Sequence, residues 1–173
     1  MRADIKLDTE RLILRPYAEP DREEFIALNC DAQVREHMDG PLDPDSASSV
    51  FDRILEAGPT TRPFSWAIRD KARREYVGHA FVSRESQDAD PELGFLFRSS
   101  VWGQGYGTEV AVSVVNFCVD VAGLTRLIAT VDIDHRPSIR VLEKAGFLFE
   151  RTVEDENEPY HLYALNRPHA DRR

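Results

Sequence analysis

Apolar and polar residues alternate with a period of two across ERLILRPY, residues 10–17, as in a strand with one buried face, and Pro16 ends the run. The period then lengthens. Residues 20–31, PDREEFIALNCD, place Pro20 and several acids ahead of apolar Phe25, Ile26 and Leu28, and predict a short helix. Residues 43–58 predict another, with Asp or Ser as cap, Val50, Phe51, Ile54 and Leu55 as its apolar positions, and Gly58 as its stop. Alternation returns in FSWAIRD (64–70), YVGHAFVSR (76–84) and ELGFLFR (92–98), three strands separated by the polar stretches KARRE and ESQDADP, which suit hairpin loops. Residues 110–122 are apolar nearly all round and predict a buried helix ending at Gly123. RLIATVD (126–132) reads as a strand. DHRPSIRVLEKAGF (134–147) reads as a helix with Asp134 as N-cap, Pro137 in its first turn, Ile139, Leu142 and Ala145 on one face, and Gly146 as its end. FLFERTV and YHLYALN close the chain as a pair of strands.

The order is therefore strand, two helices, three strands, helix, strand, helix, two strands. It predicts an α+β fold, a mixed α/β sheet of about seven strands with about four helices, and it does not repeat as βαβ units. No internal repeat or low-complexity tract interrupts it.

Length and composition narrow this. The chain has 173 residues, 42% hydrophobic and 31% charged, which is material for one domain, 1–173, with 168–173 expected as a flexible tail. The formal net charge of −9 argues against nucleic acid as a partner, which would need a basic face, and suits a cationic one. Cys30 and Cys118 are the only cysteines, and Cys118, inside an apolar helical run, reads as a core residue and not as half of a disulfide. The start, MRADIKLDTERL, has no apolar signal core, and the run 110–119 is far short of the ~20 residues that span a bilayer. The expectation is a cytoplasmic protein with no membrane partner. No metal site is expected either. The histidines are scattered, C-x-x-C and H-E-x-x-H are absent, and Asp132 and Asp134, although on one side of an extended segment, are only two carboxylates.

One stretch asks for chemistry. VWGQGYGTE, 101–109, sets Gly103, Gly105 and Gly107 at alternate positions between a strand and a helix. Glycine weakens regular structure, so either the backbone turns tightly there or something large approaches it closely. A helix start behind a glycine-rich turn offers unpaired N–H groups and the positive end of the helix dipole to an anion. A P-loop would need a lysine that is missing. A Rossmann fingerprint would need a third glycine where Thr108 stands, although Asp132 stands where that fold keeps an acid. A turn with no ligand is the plain alternative, and coenzyme A is a third candidate, which rests on a resemblance.

With LDTERLILRPY, PELGF, VWGQGYGTE and SIRVLEKAGF in this order, nearly the whole chain resembles the GNAT-superfamily N-acetyltransferases, in the branch that includes the ribosomal-protein-alanine acetyltransferases. The resemblance implies the GNAT fold, a mostly antiparallel twisted sheet with a V-shaped cleft between its central strands. It implies an enzyme moving an acetyl group from acetyl-CoA to a primary amine, either a protein N-terminus or a small cationic amine, by direct attack in a ternary complex without a metal. The superfamily's pyrophosphate loop falls on 102–107, with Trp102 where Arg or Gln is usual and Gly105 and Gly107 in its two small positions. By this resemblance Trp102, Gly103, Gln104, Gly105, Tyr106, Gly107 and Thr108 line the coenzyme. The backbone of Phe95, Leu96 and Phe97 would pair with the pantetheine like an added strand, and a bulge there would aim one N–H at the thioester carbonyl. Core packing alone also accounts for the Phe95 and Phe97 side chains. The family's N-x-x-S motif reads His135-x-x-Ser138 here, which makes both residues candidates for the pantetheine arm; a solvated loop histidine and a helix-capping serine are the plainer readings.

Acetyl transfer needs a neutral amine, a polarised carbonyl and a leaving thiol. An α-amino group titrates near about 7.7–8.0 and a lysine near about 10.4, so a base helps the second more than the first. A thiol of pKa about 8.5 leaves with little help from an acid. That matters because many relatives place a tyrosine acid four residues before the last glycine, where this chain has Leu142. Glu92, opening the PELGF strand, is the candidate base, acting through a water, and Ser138 is the second catalytic candidate; a surface carboxylate is the plainer reading of Glu92. Glu109, in a first helical turn, is explained by the dipole alone. The helices at 20–58 would form the substrate lip. A homodimer is compatible with these features. Two rivals belong to other classes: a catalytically idle coenzyme-A-binding module, and a structural or partner-binding domain.

Overall fold

The computed structural model describes residues 5–58 and 64–167; the tail expected at 168–173 lies outside these described residues. Eight strands form one sheet: β1 (Leu7–Asp8), β2 (Leu12–Arg15), β3 (Phe64–Asp70), β4 (Tyr76–Ser83), β5 (Glu92–Phe97), β6 (Arg126–Asp132), β7 (Leu148–Val153) and β8 (Tyr160–Asn166). Their spatial order is β1-β2-β3-β4-β5-β6-β8-β7, and only the β5–β6 pair is parallel. The helices are α1 (Arg22–Asn29), α2 (Pro44–Ala57), α3 (Tyr106–Asn116) and α4 (Arg136–Lys144). The expected α+β fold with its mixed, mostly antiparallel sheet is present. The strand beyond the expected seven is two-residue β1, too short to show a period.

Strand alternation sorts the side chains onto two faces. Leu93 and Phe97 of β5, with Leu127, Ala129 and Val131 of β6, join Val110, Val114, Ile139 and Leu142 of α3 and α4 in the larger core. On the other face Leu96 and Ala67 pack with Tyr17, with Phe25 and Leu28 of α1, and with Phe51 of α2. Each buried Leu, Val, Ile or Phe among them contributes about 1.5–3 kcal/mol of transfer free energy. The second core also encloses polar atoms that satisfy one another. The Tyr17 hydroxyl lies 3.0 Å from His79 Nδ1 and 2.9 Å from the Tyr76 hydroxyl. Burial pushes His79 down to about 4, so the ring is neutral at pH 7, and raises both tyrosines.

Helix ends follow local chemistry. Asp43 caps α2 by accepting from Ser46 N–H at 2.9 Å, and Gly58 ends it at φ +71°. After α4, Gly146 at φ +95° turns the chain so that Phe147 N–H donates to the Leu142 carbonyl at 3.0 Å. Three expectations change. The helix placed at 110–122 starts at Tyr106, because the glycine stretch supplies its first turn, and its last turn, Phe117–Val121, widens into a π-helix before Gly123. It is not buried all round, since Val112 and Val121 are exposed. The N-cap of α4 is His135, not Asp134: the Arg136 N–H donates to the Asp134 carbonyl at 2.8 Å, which spends Asp134 on the preceding turn. No helix among the described residues is long and apolar enough to cross a membrane.

Candidate active site

β5 and β6 run parallel but pair at one point, Glu92 with Ile128, where Ile128 N–H donates to the Pro91 carbonyl at 2.9 Å. Beyond it the ladder stops, so the C-terminal halves of both strands border a V-shaped gap. The parity of the β4–β5 ladder decides what faces it. Arg98 N–H donates to the Val77 carbonyl at 2.9 Å, toward β4, so the amides of Phe95 and Phe97 point the other way, along the gap. The bulge expected in β5 at 95–97 is absent. β4 and β5 stay in register from Gly78–Phe97 to Ser83–Glu92, and the irregularity sits one strand over, between β3 and β4 beside Ile68 and Arg69. β5 needs none, because splaying from β6 already frees its edge.

The glycine turn lies at the wide end of this gap, between β5 and α3. Gly103 (φ +74°) and Gly105 (φ +81°) both adopt left-handed backbone that an L side chain resists. A Cβ on Gly103 would meet nothing within 4 Å, so its surface is open, and Gly105 as N-cap of α3 leaves the first helical amides without a side-chain cap. Gly107 does something else. A Cβ there would come within 3.1 Å of Val141 Cγ2, so this glycine lets α3 lie close against α4. Trp102, 48% exposed, is tied down by Nε1 donating to the Phe97 carbonyl at 2.9 Å. Tyr106 is buried and donates its hydroxyl to Asp70, while Gln104 and Thr108 sit nearer the surface.

Two residues outside the candidate set, Arg11 and Glu109, hold this turn. Arg11 of the β1–β2 connection donates from Nη1 to the Gln104 carbonyl at 2.8 Å and lies over the Tyr106 ring at 4.5 Å. Glu109 accepts from Arg11 Nε and from the Arg11 backbone N–H, both at 2.8 Å, and from Thr9 Oγ1 at 2.6 Å. Burial alone would raise the Glu109 carboxyl, but these hydrogen bonds outweigh it and hold the group below the usual glutamate range. Glu109 is thus a cross-brace and more than a partner for the helix dipole.

Glu92 stands at the vertex of the V, on the α1/α2 face, and accepts from Thr130 Oγ1 of β6 at 2.5 Å. A cavity of about 350 Å³ opens beside this pair, with Glu85, Asp90, Glu150 and Arg126 among its walls. Ser138 and His135 belong to the first turn of α4, which packs on the opposite face, and their side chains are 3.5 Å apart. The two catalytic candidates, Glu92 and Ser138, make no hydrogen bond with each other among the described residues. Burial, then the neighbouring His37, lowers His135. Leu142, where the resemblance leads to the expectation of a tyrosine, is buried in the larger core.

Two left-handed glycines, Gly103 with an open surface and Gly105 beside Arg11, thus stand next to a splayed strand edge. Residues 11–148 match the sequence model of the acetyltransferase (GNAT) domain. The chain is 26% identical over 174 residues to the uncharacterized N-acetyltransferase YoaA of Bacillus subtilis, covering 94% of this chain and 97% of that protein. Its fold matches an acetyltransferase from Agrobacterium tumefaciens with a TM-score of 0.82 at 24% identity, covering 95% and 96% of the two chains. It also matches RimJ of Mycobacterium smegmatis in complex with CoA-disulfide, with a TM-score of 0.78 at 21% identity over 94% and 88%. The chain belongs to the GNAT acetyltransferase family and is an acyltransferase enzyme.

Proposed function

We propose that this acetyltransferase draws its acetyl group from acetyl-CoA and passes it to a primary amine by direct attack in a ternary complex. The parting of β5 and β6 beyond Glu92–Ile128, with the glycine turn at its wide end, is the observation that carries this reading. Main-chain N–H groups from Gly103 to Thr108 hold the diphosphate, each charge-assisted bond contributing roughly 1.5–3 kcal/mol, which lets an acidic protein bind an anion without a basic patch. The main-chain edge at Phe95–Phe97 takes the pantetheine amides as a sheet takes another strand. Trp102 and Gln104 flank the cradle, and His135 and Ser138 border the arm from α4. Bound acetyl-CoA supplies the activated thioester; the chain's own residues orient it and manage the amine's proton.

Glu92 is the base that takes that proton, through a water, and Thr130 fixes its carboxylate. No general acid replaces the relatives' tyrosine, which a thiol leaving group tolerates. Asp90 and Glu150 in the wall of the neighbouring cavity are paired with Arg126, which leaves Glu85 and Glu92 there, with the chain's net charge of −9, to favour a cationic acceptor, either a protein N-terminus or a small polyamine-like amine. An acceptor screen that follows free thiol release from acetyl-CoA tests this, run beside thermal shifts with acetyl-CoA alone. Turnover with cationic amines is expected. A thermal shift without thiol release on any amine would make the chain an idle coenzyme-binding module, and no shift at all would remove the donor assignment.

A further inference from the structure

The last residues of β6 meet the α1–α2 connection in a cluster that acetyl transfer leaves unused. His37 reaches across from that connection and places Nδ1 2.8 Å from Asp132 Oδ2, at the end of β6. The Asp134 carboxylate completes a set whose ligand atoms, one from each residue, all lie within 4.8 Å of one another. The His37 ring is held face to face by His135, with centroids 3.9 Å apart and planes inclined by 13°. The turn carrying both aspartates is fixed by His135 N–H donating to the Asp132 carbonyl at 3.1 Å and Arg136 N–H donating to that of Asp134 at 2.8 Å.

A hydrogen-bonded histidine–aspartate pair accounts for His37 and Asp132. It leaves Asp134 unexplained. Among the described residues the Asp134 carboxylate makes no hydrogen bond or ion pair, yet it sits beside another carboxylate, with Glu36 adding negative charge nearby. Two carboxylates and an imidazole on a braced turn are the donor types and number of an open, three-ligand metal site. Bonds of about 2.0–2.2 Å to one tetrahedral ion require donor atoms about 3.4 Å apart. His37 Nδ1 and Asp132 Oδ2 stand 2.8 Å apart and no pair in the set exceeds 4.8 Å, so a shift of up to about 1.4 Å in the exposed Asp134 carboxylate closes the set. Imidazole directs the choice toward zinc, nickel, cobalt or copper and away from magnesium or calcium.

We propose that His37, Asp132 and Asp134 form a binding site for one divalent transition-metal ion of the zinc type. Asp132 lies two residues beyond Thr130 on the same face of β6, so the ion sits roughly 7 Å along the strand from Glu92's hydrogen-bond partner. It ties the α1–α2 connection to the sheet at the mouth of the gap. The site stands or falls separately from the donor and the acceptor.

Calorimetric titration of the metal-stripped full chain at pH 7.5 with zinc chloride, and separately with magnesium chloride, tests it. One zinc per chain is expected, with no magnesium bound, and with affinity more than about tenfold weaker in both His37→Ala and Asp134→Asn, a loss at least as large as outer-shell changes cause. Asp134→Asn changes an exposed side chain that makes no hydrogen bond or ion pair among the described residues, so its fold serves as the control, checked by circular dichroism. Cobalt in place of zinc should give the visible absorption of a four-coordinate ion, lost in both variants. Absence of saturable zinc binding, or undiminished affinity in either variant, overturns the site.

Discussion

Glu109, in the first turns of α3, holds Arg11, 98 residues earlier in the chain, through two hydrogen bonds of 2.8 Å, one to its guanidinium and one to its backbone N–H. This contact fastens the start of β2 to the glycine turn. Glu109→Ala should cost about 1–3 kcal/mol, because it removes charge-assisted hydrogen bonds from Thr9 and Arg11 and leaves the Arg11 amide without its acceptor, and it should weaken acetyl-CoA binding through a loosened turn. Urea denaturation and a coenzyme titration read the two effects. The sign with pH follows from the lowered carboxyl. The contribution is fully present above the unfolded value near 4.5 and is lost as pH falls through the lower folded value.

Gly103 and Gly107 should respond differently to alanine. At Gly103 the left-handed backbone makes a Cβ cost about 1 kcal/mol and puts a methyl on the open surface, so acetyl-CoA affinity should fall far more than stability. Gly107→Ala should act on packing instead, costing about 1–3 kcal/mol as the methyl meets Val141. Val141→Ala should recover much of that loss in the double variant, and should not rescue Gly103→Ala. Thermal melts of the five proteins check this, and equal behaviour of the two glycine variants would contradict it.

Glu92→Gln should lower kcat about 10²-fold or more, with little change in the dissociation constant for acetyl-CoA, because the carboxylate acts on the amine's proton and not on the donor. Thr130→Val should have a smaller effect of the same kind by releasing the carboxylate it holds. Lysine-like acceptors should suffer more than α-amines, since they carry the proton more firmly. Steady-state kinetics on both acceptor types separate these outcomes.

Acid should destabilise the fold well before its carboxylates protonate. Burial depresses His79 to about 4 from 6.5, so between those values the unfolded chain binds the extra proton and stability drops as pH falls. From pH 7 to pH 5 the loss is about 2 kcal/mol. Most of it should vanish in His79→Gln, which keeps a polar partner for Tyr17 without a titration in this range. Denaturant melts at the two pH values give the comparison.

β3 and β6 run over the residues that their alternation marks, Phe64–Asp70 and Arg126–Asp132, because a half-buried strand writes a period of two into its own sequence. α2 and the end of α4 are equally legible, since Asp43, Gly58 and Gly146 act on neighbours a few residues away. The start of α3 is less so: a tally of apolar positions begins at Val110, while the helix begins in the glycines, whose conformations answer to space and not to polarity. The family resemblance did what periodicity could not and pointed to the gap between two central strands.

Local pattern, then, determined the elements, their order and the glycine turn, because each of those signals is carried by residues close together in the chain. Tertiary structure alone decided that β5 and β6 part after one pair, that Glu109 serves Arg11, that Gly107 serves Val141, and that His37 joins Asp132 and Asp134. Each of these joins residues far apart in the chain, and such meetings are settled by how whole elements pack against one another, which no short window of sequence records.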